Sequence, residues 1–361
     1  MPAGPADGLD WSMTARSSSI VDWNAAEAVG RRIGGRGPLT TGEERDRLRA
    51  DLAAAVAEAE GAIAEVTGLT TAGSRSRAWV LSRRTWVGRN LQGLERALDP
   101  VAERLTKGER WSDGRRVAVG LQIGGLLGYA SRKVLGQYDL FVPPDDDGLL
   151  YFVGPNVIEA ERRSSSLPPR DFRLWIAAHE VTHRVQFAAT PWLRGYLLDL
   201  VDRYLGTMEL DPGAMSAQLR RAVEEVRAGR LPEGFGAVFL LLSEEQRELF
   251  RRMQGLMSLL EGHASYVMNE VARGRVADLE AMRRTLRERR AGIGAAERAF
   301  QKASGFELKS RQYDAGERFV RAVVDRVGMD GFNAVWARAE HLPLPEEIAE
   351  PARWIARVAG A

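Results

Sequence analysis

Two of the chain's four histidines (His179, His183, His263 and His341) fall within five residues, in the stretch AAHEVTHRVQF at 177–187. No other feature constrains the fold as much. On a helix, residues i and i+4 share a face, so a helical 179–183 turns both imidazoles toward one point. Glu180 is then rotated about 100° from His179, beside that point rather than on it. Trp175, Ile176, Val181 and Val185 surround the pair with apolar side chains. They predict a buried helix from about Phe172 to Ala189, stopping before Pro191. Asp171 or Ser166 is placed to cap it. Buried imidazoles and a buried carboxylate need partners, and a metal ion would supply one.

The chain has no cysteine, which excludes disulfides and thiolate sites and leaves His and carboxylate as the metal ligands. Zn²⁺ favours imidazole nitrogen at tetrahedral angles. H-E-x-x-H is the arrangement in which the glutamate acts as general base toward water activated by zinc. A catalytic zinc also needs a third protein ligand. LMSLLEGHASYVMNE (256–270) is an otherwise apolar helix interrupted by Glu261 and His263. A carboxylate among Leu259, Leu260, Ala264 and Val267 is costly to bury unless an ion neutralises it. Glu261 and His263 are two apart and point about 200° from each other on a regular helix. Both cannot readily bind one ion. Glu261 is favoured as ligand, with His263 as the alternative or as a hydrogen-bonding group. His341, beside prolines, reads as an ordinary loop residue.

Helical periodicity dominates the rest. After a loose lead-in over residues 1–20, helices are expected at 43–68, 76–106, 115–136, 214–229 and 243–273, the last opened by a Ser243/Gln246 capping box. YDLFVPPDDDGLLYFVGPNV (138–157) is the strand-turn-strand signal, with DLFV and LLYFVG flanking a Pro/Asp/Gly turn. The expected fold is therefore predominantly α (α+β). A helical N-terminal part (21–137) is followed by the part with the motif and a small β-hairpin (138–361), the two expected to form one compact unit. The apolar stretch 117–130 is broken by Gln122 and four glycines. It is too short to span a bilayer, and its glycines suit a buried helix that approaches a neighbour closely. With no signal-peptide pattern at the N-terminus, a cytoplasmic location is expected.

Other readings are weaker. Net charge is +2, and only four of the 51 basic residues are lysine, a usage that reflects a GC-rich genome rather than a nucleic-acid surface. The Arg-rich segment 283–302 interleaves its arginines with glutamates and has one aromatic, Phe300, a poor phosphate-tracking pattern. A di-iron carboxylate bundle needs paired Glu-x-x-His elements; only His183 has a glutamate three residues before it. A zinc-stabilised helical binding or assembly protein without catalysis remains the alternative, against which the intact Glu180 counts.

The segments VDWNAAEAVGRRI (21–33), YDLF (138–141), FVGPNV (152–157), HEVTHRVQF with PWL (179–193), LLEGHASYVM (259–268), KSRQYDAGERFV (309–320) and FNAVW with LPLPEEI (332–348) resemble, in order along the chain, the zincin-like metallopeptidase family of bacterial hydrolases. Part of that family is associated with biosynthesis of a deazaflavin coenzyme. The resemblance implies a gluzincin-type zincin-like core with one zinc per chain, held by His179, His183 and Glu261, and Glu180 as catalytic base. The chemistry of such a site leads us to expect a peptide or small amide as substrate, with neither nucleic acid nor membrane as partner. His263, Tyr266, Tyr313 and Asn156 are candidates for the second ligand shell or for oxyanion stabilisation. The strand ending FVGPN is a candidate for hydrogen bonding an extended substrate. Asp199, Asp202, Glu270 and Asp314 are candidates for orienting the zinc-bound imidazoles.

Overall fold

The computed structural model describes residues 20–71, 73–106, 109–139, 149–163, 168–207, 242–280, 282, 284 and 306–360. The expected helix 214–229 and nearly all of the Arg-rich segment 283–302 lie outside them. Asp22 opens helix α1 (Trp23–Gly34) by accepting the Ala25 N–H at 2.9 Å. Helix α2 (Gly42–Thr67) is capped by Thr41 and ends on Gly68 in the left-handed region, φ 71°, within one residue of its sequence limits at each end.

The stretch expected as one helix at 76–106 is instead strand β1 (Arg77–Leu81) followed by helix α3 (Arg83–Leu105). The short run RAWVL has aromatic and β-branched residues and follows a turn at Gly73–Ser74. Its strand state comes from pairing with a distant partner, which local periodicity does not report. Helix α4 (Asp113–Ala130) ends six residues earlier than expected, because the chain turns there into strand β2 (Gly136–Tyr138). The first arm of the expected hairpin is thus 136–138 rather than 139–142, and its turn lies outside the described residues. LLYFV becomes β3 (Leu149–Val153), fully buried. The sheet order is β1-β3-β2, with β1 parallel and β2 antiparallel to β3.

Helix α5 (Gly154–Arg163) follows directly, then α6 (Pro169–Ala188), which carries the two histidines, and α7 (Pro191–Gly206). Asp171 does not cap α6. It reaches across to accept the Ala277 N–H at 2.9 Å, and the chain enters the helix through Pro168 and Pro169, a proline being well tolerated where the first N–H has no helical acceptor. Helix α8 (Glu244–Ala272) has the predicted Ser243/Gln246 capping box. Helix α9 (Phe306–Asn333) is broken at Gly328, φ 74°, and short helical turns over 334–359 close the fold.

The main core joins α2, α5, α6, α8, α9 and the sheet, and a smaller one joins α1, α3, α4 and Val153. Helix α4 corrects the expectation of a buried apolar helix. Its buried face is Gly120, Gly124 and Gly128, while Leu121 and Leu126 are exposed. A Cβ on Gly124 would lie 2.2 Å from the Ala26 carbonyl oxygen, so the glycines bring α1 and α4 into backbone contact. Among the described residues, no helix is long and apolar enough to cross a membrane.

Candidate metal centre

Helix α6 is held on several sides, by α2, α8 and β2. Three arginines fasten it to α2. Arg170 bonds Glu58 at 2.9 Å, Arg173 bonds Asp51 and Glu161, and the buried Arg184 bonds Glu60 at 2.8 Å together with Ser74 and Ser76. Charge-assisted contacts of this kind hold the orientation of a helix more strictly than apolar packing alone. They fix which face of α6 is turned toward α8.

On that face His179 and His183 bring their Nε2 atoms to 3.3 Å from each other. Glu261 enters from α8, its Oε2 3.5 Å from His179 Nε2 and 3.6 Å from His183 Nε2. Among the described residues this is the group of His and carboxylate side chains able to hold an ion. Zinc–nitrogen bonds of about 2.0–2.1 Å require tetrahedral donors to stand roughly 3.4 Å apart. The three separations straddle that value, so the donor set fits a zinc-sized divalent cation by type and by spacing. Glu261 can reach the histidines because α8 and α9 touch backbone to backbone. A Cβ on Gly262 would lie 2.1 Å from the Gly316 carbonyl carbon.

Glu180 is buried beside the triad and packs on the edge strand. A Cβ on Gly136 would lie 2.5 Å from its Cγ and 2.8 Å from its Oε1. Burial disfavours a charged His183, but the Glu261 carboxylate and, more weakly, Glu180 and Gln186 outweigh it and raise the imidazole pKa. His263 behaves oppositely. It is fully buried, stacked on Phe332 at 5.2 Å with Trp336 at its edge, and burial together with the charge of His183 pushes its pKa down to about 3.

The remaining candidates are placed elsewhere. Asn156 donates to Ser131 O and Val134 O and accepts from Arg83, tying down the loop that enters β2. Tyr266 lies under Arg321, 5.2 Å from ring to guanidinium, and burial followed by Glu270 raises its phenol pKa. Tyr313 lies on α9. Glu270 pairs with Arg273 and Arg321, Asp199 with Arg203, and Asp202 and Asp314 are exposed. Strand β3 is paired on both sides, so its backbone is not available to an extended substrate.

The sequence reading missed Gln186. Its Oε1 is 3.0 Å from His183 Nδ1, and its Nε2 is 2.9 Å from Leu260 O and 3.0 Å from His263 Nδ1. Its spacing of three residues from His183 on one helix was the available signal.

Fold and donor set together place the chain among helical proteins with a His/His/Glu group able to hold a metal ion. More particularly, it belongs to the zincin-like metallopeptidase family, whose model matches residues 21–355. The structure is also similar to the crystal structure of a protein from Chloroflexus aurantiacus, provisionally assigned as a hydrolase with a novel fold. That similarity has a TM-score of 0.70 at 32% identity and covers 93% of this chain and 98% of that one. Among curated proteins none matches.

Proposed function

We propose that the chain is a zinc-dependent hydrolase of the gluzincin type that cleaves peptide or related amide bonds. The observation that carries this reading is the convergence of His179 Nε2, His183 Nε2 and Glu261 Oε2 within 3.3–3.6 Å, with the Glu180 carboxylate beside them. Its membership of a metallopeptidase family and its likeness to a protein assigned as a hydrolase support it. His179, His183 and Glu261 hold one zinc ion. When bound, the ion supplies Lewis acidity, polarising a scissile carbonyl and acidifying a water molecule.

Glu180 then accepts a proton from the attacking water and delivers it to the leaving nitrogen as the carbon–nitrogen bond breaks. Its packing against the Gly136 backbone limits the directions in which that carboxylate can move. An extended substrate is best accommodated along β2, an edge strand adjoining Glu180, by adding a further strand.

Elemental mass spectrometry of the purified protein tests the metal, and a peptide-library digest tests the chemistry. About one zinc per chain is expected in the wild type, with strong depletion in Glu261→Ala. Glu180→Gln should keep its zinc and lose cleavage by about 10²–10⁴-fold, the usual worth of a general base. No zinc in the wild type after zinc is supplied would refute the metal reading. Zinc without cleavage would return the chain to a zinc-stabilised binding protein.

A further inference from the structure

The two His183 nitrogens have different surroundings. Nε2 faces His179 and Glu261, and Nδ1 lies 3.0 Å from Gln186 Oε1. Which of the two nitrogens carries the proton decides whether His183 can bind a cation, because a metal needs the lone pair on Nε2. Gln186 is completely buried, and its other amide atom is 2.9 Å from the main-chain oxygen of Leu260. A carbonyl oxygen only accepts hydrogen bonds. The amide must therefore turn its NH₂ group to Leu260, which leaves Oε1 facing His183. Oε1 also only accepts, so the hydrogen must sit on His183 Nδ1.

The second N–H of the Gln186 amide goes to His263 Nδ1 at 3.0 Å. With the amide oriented by Leu260 O, which cannot donate and so blocks a flip, that contact leaves the lone pair on His263 Nδ1. His263 is itself held by stacking on Phe332 and by the edge of Trp336. Leu260 immediately precedes Glu261, so the same amide ties the turn of α8 that carries the carboxylate to the imidazole on α6.

We propose that Gln186 is the positioning residue of the metal centre: anchored by Leu260 O and His263, it fixes His183 as the Nδ1–H tautomer and holds the histidine and glutamate ligands in register. This function rests on the metal reading above, but the tautomer it assigns exists without metal. Hydrogen-bonding partners of this kind orient ligating histidines and are worth about 10–100-fold in metal affinity.

The test uses the full-length protein with and without zinc. The chain has four histidines, so nitrogen NMR of ¹⁵N-histidine-labelled metal-free protein, at a pH where His183 is neutral, resolves its tautomer. Nδ1–H is expected in the wild type, and an Nε2–H tautomer there overturns the proposal without recourse to any variant. Gln186→Met should lose the tautomer preference and bind zinc about 10–100-fold more weakly in chelator competition. Gln186→Glu keeps an acceptor for Nδ1 but has no N–H for Leu260 O, so it should retain the Nδ1–H tautomer without regaining the full affinity. Wild-type affinity in Gln186→Met with unchanged His183 shifts overturns the proposal while leaving the metal reading intact. A wild type that takes up no zinc overturns both, and is recognised by the failure of the unmutated protein.

Discussion

Gly136 and Glu180 show how one missing methyl group places the carboxylate proposed as the general base. On β2, a side chain at 136 would occupy the space of the Glu180 carboxylate, with its Cβ 2.5–2.9 Å from Glu180 Cγ, Cδ and Oε1. The obstructing atoms belong to a flexible side chain rather than to backbone, so the glutamate would give way and the fold would not. Gly136→Ala is therefore expected to retain zinc and near-normal thermal stability while turnover of a library-selected peptide falls by about a hundredfold. Misplacement of a catalytic group by about 1 Å has that scale. Unchanged turnover would mean that Glu180 works from another position. Nothing in the sequence marks Gly136 as special, because the contact joins residues 44 positions apart on different elements.

Helices α6 and α8 were legible as elements from periodicity, caps and proline, yet their mutual placement depends on contacts at backbone range. Gly262 and Gly316 let α8 and α9 cross with no side chain between them. A Cβ on Gly316 would fall 2.0 Å from Ser258 O, and one on Gly262 would fall 2.1 Å from the Gly316 carbonyl carbon. Main chain cannot move aside as a side chain can, so Gly316→Ala must separate the helices. The expected cost is at least about 1–3 kcal/mol of stability, the usual scale of overpacking. Zinc affinity should fall with it, since Glu261 lies on the displaced helix. Urea unfolding and chelator competition read the two effects, and wild-type values in both would disprove the tight crossing. Strand β1 marks the opposite limit of legibility. Five residues paired in register from Arg77↔Leu149 to Leu81↔Val153 owe their conformation to a partner about 70 positions away.

Across the whole molecule, the proposed ligands come from α6 and α8, and α2 and β2 brace α6 from other sides. An ion bound only by the folded state adds RT ln(1 + [Zn]/Kd) to stability, about 4 kcal/mol at a thousandfold excess over Kd. Chelation should therefore lower the thermal midpoint of the wild type by several degrees and leave that of Glu261→Ala almost unchanged. An equal response of the two proteins would show that the ion, if bound, is held elsewhere.

The sequence alone determined that this chain is mainly helical, that HEVTH lies on a buried helix, that Glu261 is the carboxylate suited to face it, and that Ser243 and Gln246 cap the second helix. Each of these follows from short-range spacing and from the cost of burying charge, both of which can be read along the chain. Tertiary structure alone decided the rest. It set the strand state of 77–81, the bonding of Arg184 to α2, the exposure of Leu121 and Leu126 on α4, the contact of Gly136 with Glu180, and the link from Gln186 to Leu260 and His263. These depend on which surfaces meet after the helices pack, and hydrogen-bond partners or backbone contacts many residues apart leave no local periodicity to read.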